Sequence, residues 1–318
     1  MLLHRLLATL LAAIALAGPA LAQDQPLRVI LGFPAGAGAD TITRLVADKM
    51  RGTLGRPVVV ENRAGAGGIL ANEVVKGSKP DGNTVLMTPF ATMVAYPHSY
   101  SKLSYDPFTD FLPVAHVASF QLALGVGAKV PATTVAEYVA LAKTGGQYTN
   151  YASASAGSLP HFFGVMFARA VGLELTHVPY RGSAPVLQAL VGGEIPAAML
   201  VLADIGALAQ AGQARVLAVS GAKRAPGAPD IPTFKEAGYD IEGTAWYAMF
   251  APAGTPKEIV DRIAKAAVDA TLAADTKPRI EAMNLEPTGL GPADLARILK
   301  ADYDRWGPVI RASGFKAD

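Results

Sequence analysis

The chain of 318 residues contains no cysteine. That absence excludes a disulfide framework, thiol catalysis and thiolate metal sites together. Charge is also sparse: 17% of residues are Asp, Glu, Lys or Arg, and the formal net charge is only +2. No basic block occurs, so the electrostatic footprint of a nucleic-acid binder is missing. Histidines are few, and His98, His116, His161 and His177 fall in no metal-ligand spacing, so no metal site and no cofactor are expected. For all of these but His161 the residue-level reading is a capping, turn or surface role.

Apolar residues, by contrast, make up 51% of the chain, enough for two domains with cores of their own. The N-terminus reads as an export signal. Met1–Arg5 is a short positive segment, Leu6–Gly18 an apolar run, and Ala20-Leu21-Ala22 places small residues for cleavage before Gln23. Pro19 interrupts the run short of the roughly 20 residues a membrane anchor needs. The mature protein is expected to be exported, periplasmic and monomeric.

Beyond the signal, strand-like and helix-like segments alternate, which predicts an α/β fold with mostly parallel sheets. Strands are expected at Arg28–Phe33, Pro57–Glu61 and Thr84–Thr88, with helices between them. The first helix carries the stripe Ile42, Leu45, Val46, Met50, Leu54. A second set begins near residue 120, with a strand at Gln121–Val126 and a helix at Val135–Lys143 opened by a Thr134/Glu137 capping box. Thr255-Pro256-Lys257-Glu258 predicts a capped start for a late helix. The terminal helices imply a return to the first domain, giving residues 23–120 with 244–318 as one domain and 121–243 as the other.

Three strand-to-helix turns share one chemistry: GFPAGAGAD (Gly32–Asp40), NRAGAGG (Asn62–Gly68) and SASAGSLPH (Ser153–His161). Such turns lie at the carboxyl ends of strands, where α/β proteins bind ligands. Glycine lets successive amides converge on an anion, and a helix N-terminus adds partial positive charge. Asp40 reads as the N-cap of the first helix, so an anion should meet the amides of Ala35–Gly38. Gly36-x-Gly38 with Glu61 also resembles part of a dinucleotide fingerprint, but the third glycine position holds Thr41. A secreted serine hydrolase using Ser158 or Ser153 with His161 is the alternative from a different class, although no GxSxG occurs.

The ordered succession GFPAGAGADTITRLVADKM, RPVVVENRAGAGG, KPDGNTVLM, YDPFTDFLPVAHVAS, YASASAG, HVPYRGSAPVLQALVGGE, VLAVSGAKRAPGAPDIPTFKEAG and WYAMFAPAGTPKEIV resembles the Bug-type family across essentially the whole mature chain. These are the substrate-binding receptors of tripartite tricarboxylate transporters. The resemblance implies a two-lobed periplasmic binding protein of type II topology, with a ligand cleft between the lobes. It implies a small organic carboxylate as ligand and the membrane permease subunits of such a transporter as partners, and no enzymatic activity. Carried over by position, it implicates Phe33, Ala35, Gly36, Gly38, Asn62, Ala66 and Gly67 in one lobe. Ser153, Ser155, Gly157, Ser158 and His161 follow in the other.

Two departures from the family pattern bear on the ligand. Where many members read LLMGSPGTHA this chain reads VLMTPFATMV, which puts Pro89 beside Phe90 and leaves Thr92 as a contact. Where many carry an Asp-Asn pair this chain has Leu200-Val201, with Asp204 further on as a helix cap. The expected ligand therefore has an apolar or aromatic far end and is not an amino acid. Arg181 reads as a solvated helix-start residue, with a carboxylate clamp as the alternative. Trp246 and Tyr247 read as hinge or core packing.

Overall fold

Short β-branched runs bounded by turn residues form the strands, and 3.6-period stripes form the helices that cover them. The computed structural model describes residues 25–36 and 38–317. The export signal expected over residues 1–22 lies outside them. Strand β1 (Leu27–Leu31) is buried almost end to end because helices cover both faces. Helix α1 (Gly38–Leu54) buries Ile42, Leu45, Val46 and Met50, the expected stripe. Strand β2 (Val58–Asn62), helix α2 (Ile69–Lys76) and strand β3 (Thr84–Pro89) follow, with β1 parallel to both neighbours. One wide helical turn (Ala91–Ala95) and the short helix α3 (Tyr96–Ser99) complete this part.

Strand β4 (Phe111–Gly127) is far longer than the expected Gln121–Val126. Pro113, His116 and Gln121 break its apolar pattern, and register shifts near Pro113 and His116 accommodate them. Helix α4 (Val135–Lys143) starts on the expected Thr134/Glu137 capping box. Then come β5 (Asn150–Ser153), α5 (Leu159–Val171), β6 (Thr176–Pro179), α6 (Ser183–Gly192), β7 (Ala197–Val201), α7 (Leu202–Gln210) and β8 (Ala214–Val219). Strand β9 (Thr244–Pro252), helix α8 (Lys257–Leu272), helix α9 (Lys277–Glu281), strand β10 (Glu286–Leu290) and helix α10 (Pro292–Ala312) end the described chain. The cap expected at Thr255 does not form. Its hydroxyl donates to the Pro252 carbonyl at 2.8 Å, and α8 begins after Pro256 without a side-chain cap.

Pairing defines two lobes joined through β4. Its first half pairs with β9 and β10, and with β2-β1-β3-β9 it builds the first sheet. Its second half lies between β8 and β7, and β7 continues into β5 and β6. The return crossing is tied to β4 by hydrogen bonds. Ser220 N donates to the Leu122 carbonyl, Leu122 N to Ser220 Oγ, and Gly221 N to Gln121 Oε1. Behind these crossings Phe90 packs edge-on against Trp246 and Trp306, at 5.7 and 5.8 Å between ring centres. Trp246 is buried and donates to Asp302, so its expected core role holds. Among the described residues no helix is long and apolar enough to cross a membrane.

Candidate functional site

The first two glycine turns lie against each other because β1 and β2 are adjacent parallel strands. A Cβ on Gly32 would stand 2.6 Å from the Gly68 Cα, so only glycine permits this approach. Asp40 is not the N-cap. It is the third residue of α1, and its carboxylate faces backwards into the turn. It accepts from the Gly36 amide, Arg44 Nε and Asn62 Nδ2, each at 2.9 Å. Burial opposes its charge, but the hydrogen bonds from Arg44, Gly36 and Asn62 outweigh it and hold its pKa at about 2. Asn62 also donates to the Phe33 carbonyl and accepts from Arg44. Gly36 and Asn62, both expected to meet a ligand, are thus committed to a frame within the lobe. The same carboxylate holds an amide that a pyrophosphate would need, which disfavours a dinucleotide.

The groups left facing outward on this rim are Ala35, Gly38, Ala66 and Gly67, all of them solvent-accessible. Ala66 sits at φ 46°, a left-handed conformation that costs a non-glycine residue about 1–2 kcal/mol. Phe33 lies against Gly68. Thr92 is fully buried, and its hydroxyl is occupied by Thr88 Oγ1 at 2.6 Å and the Pro89 carbonyl at 3.1 Å. It supports the turn from beneath and presents no free hydroxyl, which corrects its reading as a contact. Tyr96 links the rim to the interior by donating to the Gly67 carbonyl at 3.2 Å. Burial raises its pKa to about 12.

The third turn is held by neutral groups. Ser158 caps α5: its Oγ accepts from the His161 amide and donates to the Ser155 carbonyl. His161 Nδ1 accepts from the Gly157 amide at 3.1 Å, and its ring stacks on His177 at 4.0 Å. Ser153 is buried; its Oγ lies 3.0 Å from the Ser155 carbonyl and is hydrogen-bonded to His177 Nε2 at 2.7 Å. Burial lowers both imidazole pKa values to about 4, and His161 adds charge repulsion at His177. Two of the histidine readings therefore change. His177, on β6, packs against this turn, and His116 is buried beside Thr288 in the first sheet.

The Ser158/His161 pair does not form a nucleophile–base contact: His161 Nδ1 is bonded to the Gly157 amide, and the Ser158 hydroxyl donates to the Ser155 carbonyl. Among the described residues no group of three or more His, Asp or Glu side chains is placed to hold a metal ion.

Between the lobes lies a cleft of about 460 Å³. Pro89, Tyr96 and Tyr100 line it from the first lobe, and Ser155, Gly157 and Ser158 from the second. Phe120 and Ala245 line it from the crossing strands, Val201 from the end of β7, and Phe315 from the C-terminal tail. That tail bridges the lobes: Ala317 N donates to the Ser99 carbonyl, while Phe315 packs edge-on against His161 and Phe162. Among the predicted residues, Ser155, Gly157 and Ser158 line the cleft directly, and Gly67 adjoins it through Tyr96. Phe33, Ala35, Gly36, Gly38, Asn62, Ala66, Thr92, Ser153 and His161 are not part of its lining. Sequence reasoning missed Tyr96, Tyr100, Phe120 and Phe315. The spacing of Tyr96 and Tyr100 on one helical face was a usable signal; Phe315 had none.

Comparison with known proteins agrees with this architecture. A family model described as "Tripartite tricarboxylate transporter family receptor" matches residues 42–315. The chain is 32% identical to a UPF0065 protein of Bordetella bronchiseptica, over 92% of this chain and 87% of that one. The solved structure of R. palustris Rpa4515 with adipate superposes with a TM-score of 0.78 at 31% identity, covering 92% of this chain and 98% of that chain. MatC from Rhodopseudomonas palustris with bound malate gives 0.73 at 30% identity, covering 90% and 98% respectively.

Proposed function

The chain belongs to the tripartite tricarboxylate transporter receptor family, and from that premise we propose that it is a periplasmic, non-enzymatic receptor for a small organic carboxylate. The observation that carries this reading is the cleft between the lobes, whose wall contains the glycine-rich helix start Ser155–Ser158 of the second lobe and Tyr96, which ties the Gly67 turn of the first lobe to it. Backbone amides and hydroxyls there hold an anion without a charged side chain. The adipate and malate bound by the two Rhodopseudomonas proteins support the ligand class.

In this reading the carboxylate meets Ala35, Gly38, Ala66 and Gly67 on one lobe and Ser155 and Ser158 on the other. Gly36, Phe33, Asn62, Gly157, Ser153 and His161 keep the turns in shape. The lobes comprise residues 23–120 with 244–318, and 121–243. They close on the ligand because the closed state makes contacts the open state lacks. The closed monomer then delivers the ligand to the membrane permease subunits of a tripartite transporter.

A thermal-shift screen of carboxylates on the mature chain tests this. At 100 times Kd a ligand should add about 2.7 kcal/mol, a rise of several degrees in Tm, with no turnover. Product formation from an ester or amide, abolished by Ser158→Ala, would replace the receptor with a hydrolase.

A further inference from the structure

We propose that the cleft selects a monocarboxylate with an apolar body, aromatic or branched aliphatic, over dicarboxylates and amino acids. This inference rests on the receptor reading above and concerns the half of the ligand remote from the carboxylate.

The observation is a lining without charge. Among the described residues, no Asp, Glu, Lys, Arg or His side chain lines the cleft. Its polar side chains are all hydroxyls, from Tyr96, Ser99 and Tyr100 on the first lobe and Ser155 and Ser158 on the second. At the crossing strands the walls are Phe120, Ala245, Val201 and Pro89. Phe120 is backed by Tyr247, with ring centres 5.3 Å apart, so its ring stands as part of an aromatic pair. The hydroxyls of the two lobes serve one carboxylate, while the walls on and beside the paired strands β3, β4, β7 and β9 offer apolar side chains alone.

Charged groups close in sequence to the lining do not enter it: Lys316, between Phe315 and Ala317, is exposed and absent from the lining. Asp204 follows Val201 in the chain, but its carboxylate accepts from Ser183 Oγ at 2.5 Å, at the start of α6. It is absent from the cleft lining, so an ammonium group in the cleft has no carboxylate counterpart. Arg181 is exposed and also absent from the lining, so a second carboxylate has no cation. An ion placed against Phe120 and Val201 would lose its water and gain no partner, which disfavours it strongly. An aromatic or branched body fills the same space by displacing water from apolar walls.

Calorimetry on the mature chain tests this, with phenylacetate, benzoate and 4-methylpentanoate set against adipate, malate and glutamate. The expected result is that at least one apolar monocarboxylate binds about 100-fold more tightly than any of the three polar ligands. Phe120→Ala should weaken that ligand by about 10-fold or more. Val201→Arg, which supplies a cation at the far end, should narrow or reverse the preference in favour of adipate. Circular dichroism melting confirms that each variant is folded. If Val201→Arg does not fold, the wild-type panel and Phe120→Ala decide alone.

Adipate, malate or glutamate binding as tightly as the apolar acids overturns the inference and leaves the receptor reading standing. So does loss of adipate binding in Arg181→Ala, if adipate proves the preferred ligand. If no carboxylate binds, the receptor reading falls and this inference falls with it.

Discussion

Both lobes hold a glycine-rich turn at the start of a helix, but they do so with opposite chemistry. In the first lobe a charged group sits inside the turn: Asp40 gathers Gly36, Asn62 and Arg44 around one carboxylate. In the second lobe the frame is neutral, with Ser153, Ser158 and the stacked His161 and His177 closing their hydrogen bonds on one another and on backbone. A charge-assisted frame is stronger per bond and fixes its turn over a wide pH range. A frame of buried imidazoles is stable only while they stay neutral. The difference teaches that a turn's glycine pattern does not disclose what keeps its amides in place.

The comparison breaks most readily at Asp40. Asp40→Asn leaves an NH2 group facing donors and removes the charged partner of Arg44. A loss of about 2–3 kcal/mol is expected by urea denaturation, together with loss of carboxylate binding. An unchanged midpoint would show that the charge is not what holds the first turn. Arg44 is half exposed, which keeps the expected loss below that of a fully buried pair.

Acid should separate the two frames next. His161 and His177 have folded pKa values of about 4, below the unfolded value near 6.5. The unfolded chain therefore takes up protons first. Their contribution is complete above about pH 6.5 and is lost as pH falls towards 4. Asp40 is lowered to about 2 from 3.8, so its contribution persists until pH falls below about 4. Tm should be on the order of 5 °C lower at pH 5 than at pH 7. His116, also lowered to about 4 by burial in the first sheet, adds to that global loss. Hydrogen exchange at the turns is thus the discriminating measurement. Amides of Ser155–Phe162 should lose protection at pH 5 while Gly36 keeps it, and equal loss at both would remove the distinction.

The smallest effect is expected at Tyr96, the phenol that ties the first lobe's rim to the cleft. Tyr96→Phe removes one hydrogen bond to the Gly67 carbonyl and should cost about 1 kcal/mol in stability. Ligand affinity should fall no more than about 10-fold, as read by calorimetry. A larger fall would mean that the phenol carries more of the carboxylate's binding than the other hydroxyls of the cleft.

Much of this was legible in the chain because it is local. The stripe from Ile42 to Met50 and the Thr134/Glu137 box depend on residues within a few positions of each other, and both appear as read. The cap at Ser158 is of the same kind. Strand β10 was missed because Pro287 and Gly289 carry little strand propensity; it exists through its pairing with β4. The first half of β4 was missed for a related reason, since bulges absorb the residues that break its pattern.

The sequence alone determined the α/β alternation, the three glycine turns and the family, because periodicity, turn chemistry and ordered motifs are carried by neighbouring residues. Only the tertiary structure decided which of the turn amides are taken by side chains. Asp40 on α1 meets Asn62 at the end of β2, Ser153 meets His177 from parallel β5 and β6, and Phe315 reaches Gly157 from the far end of the chain. These partners are set by the way strands align and lobes pack, and no short stretch of sequence contains both members of any such pair.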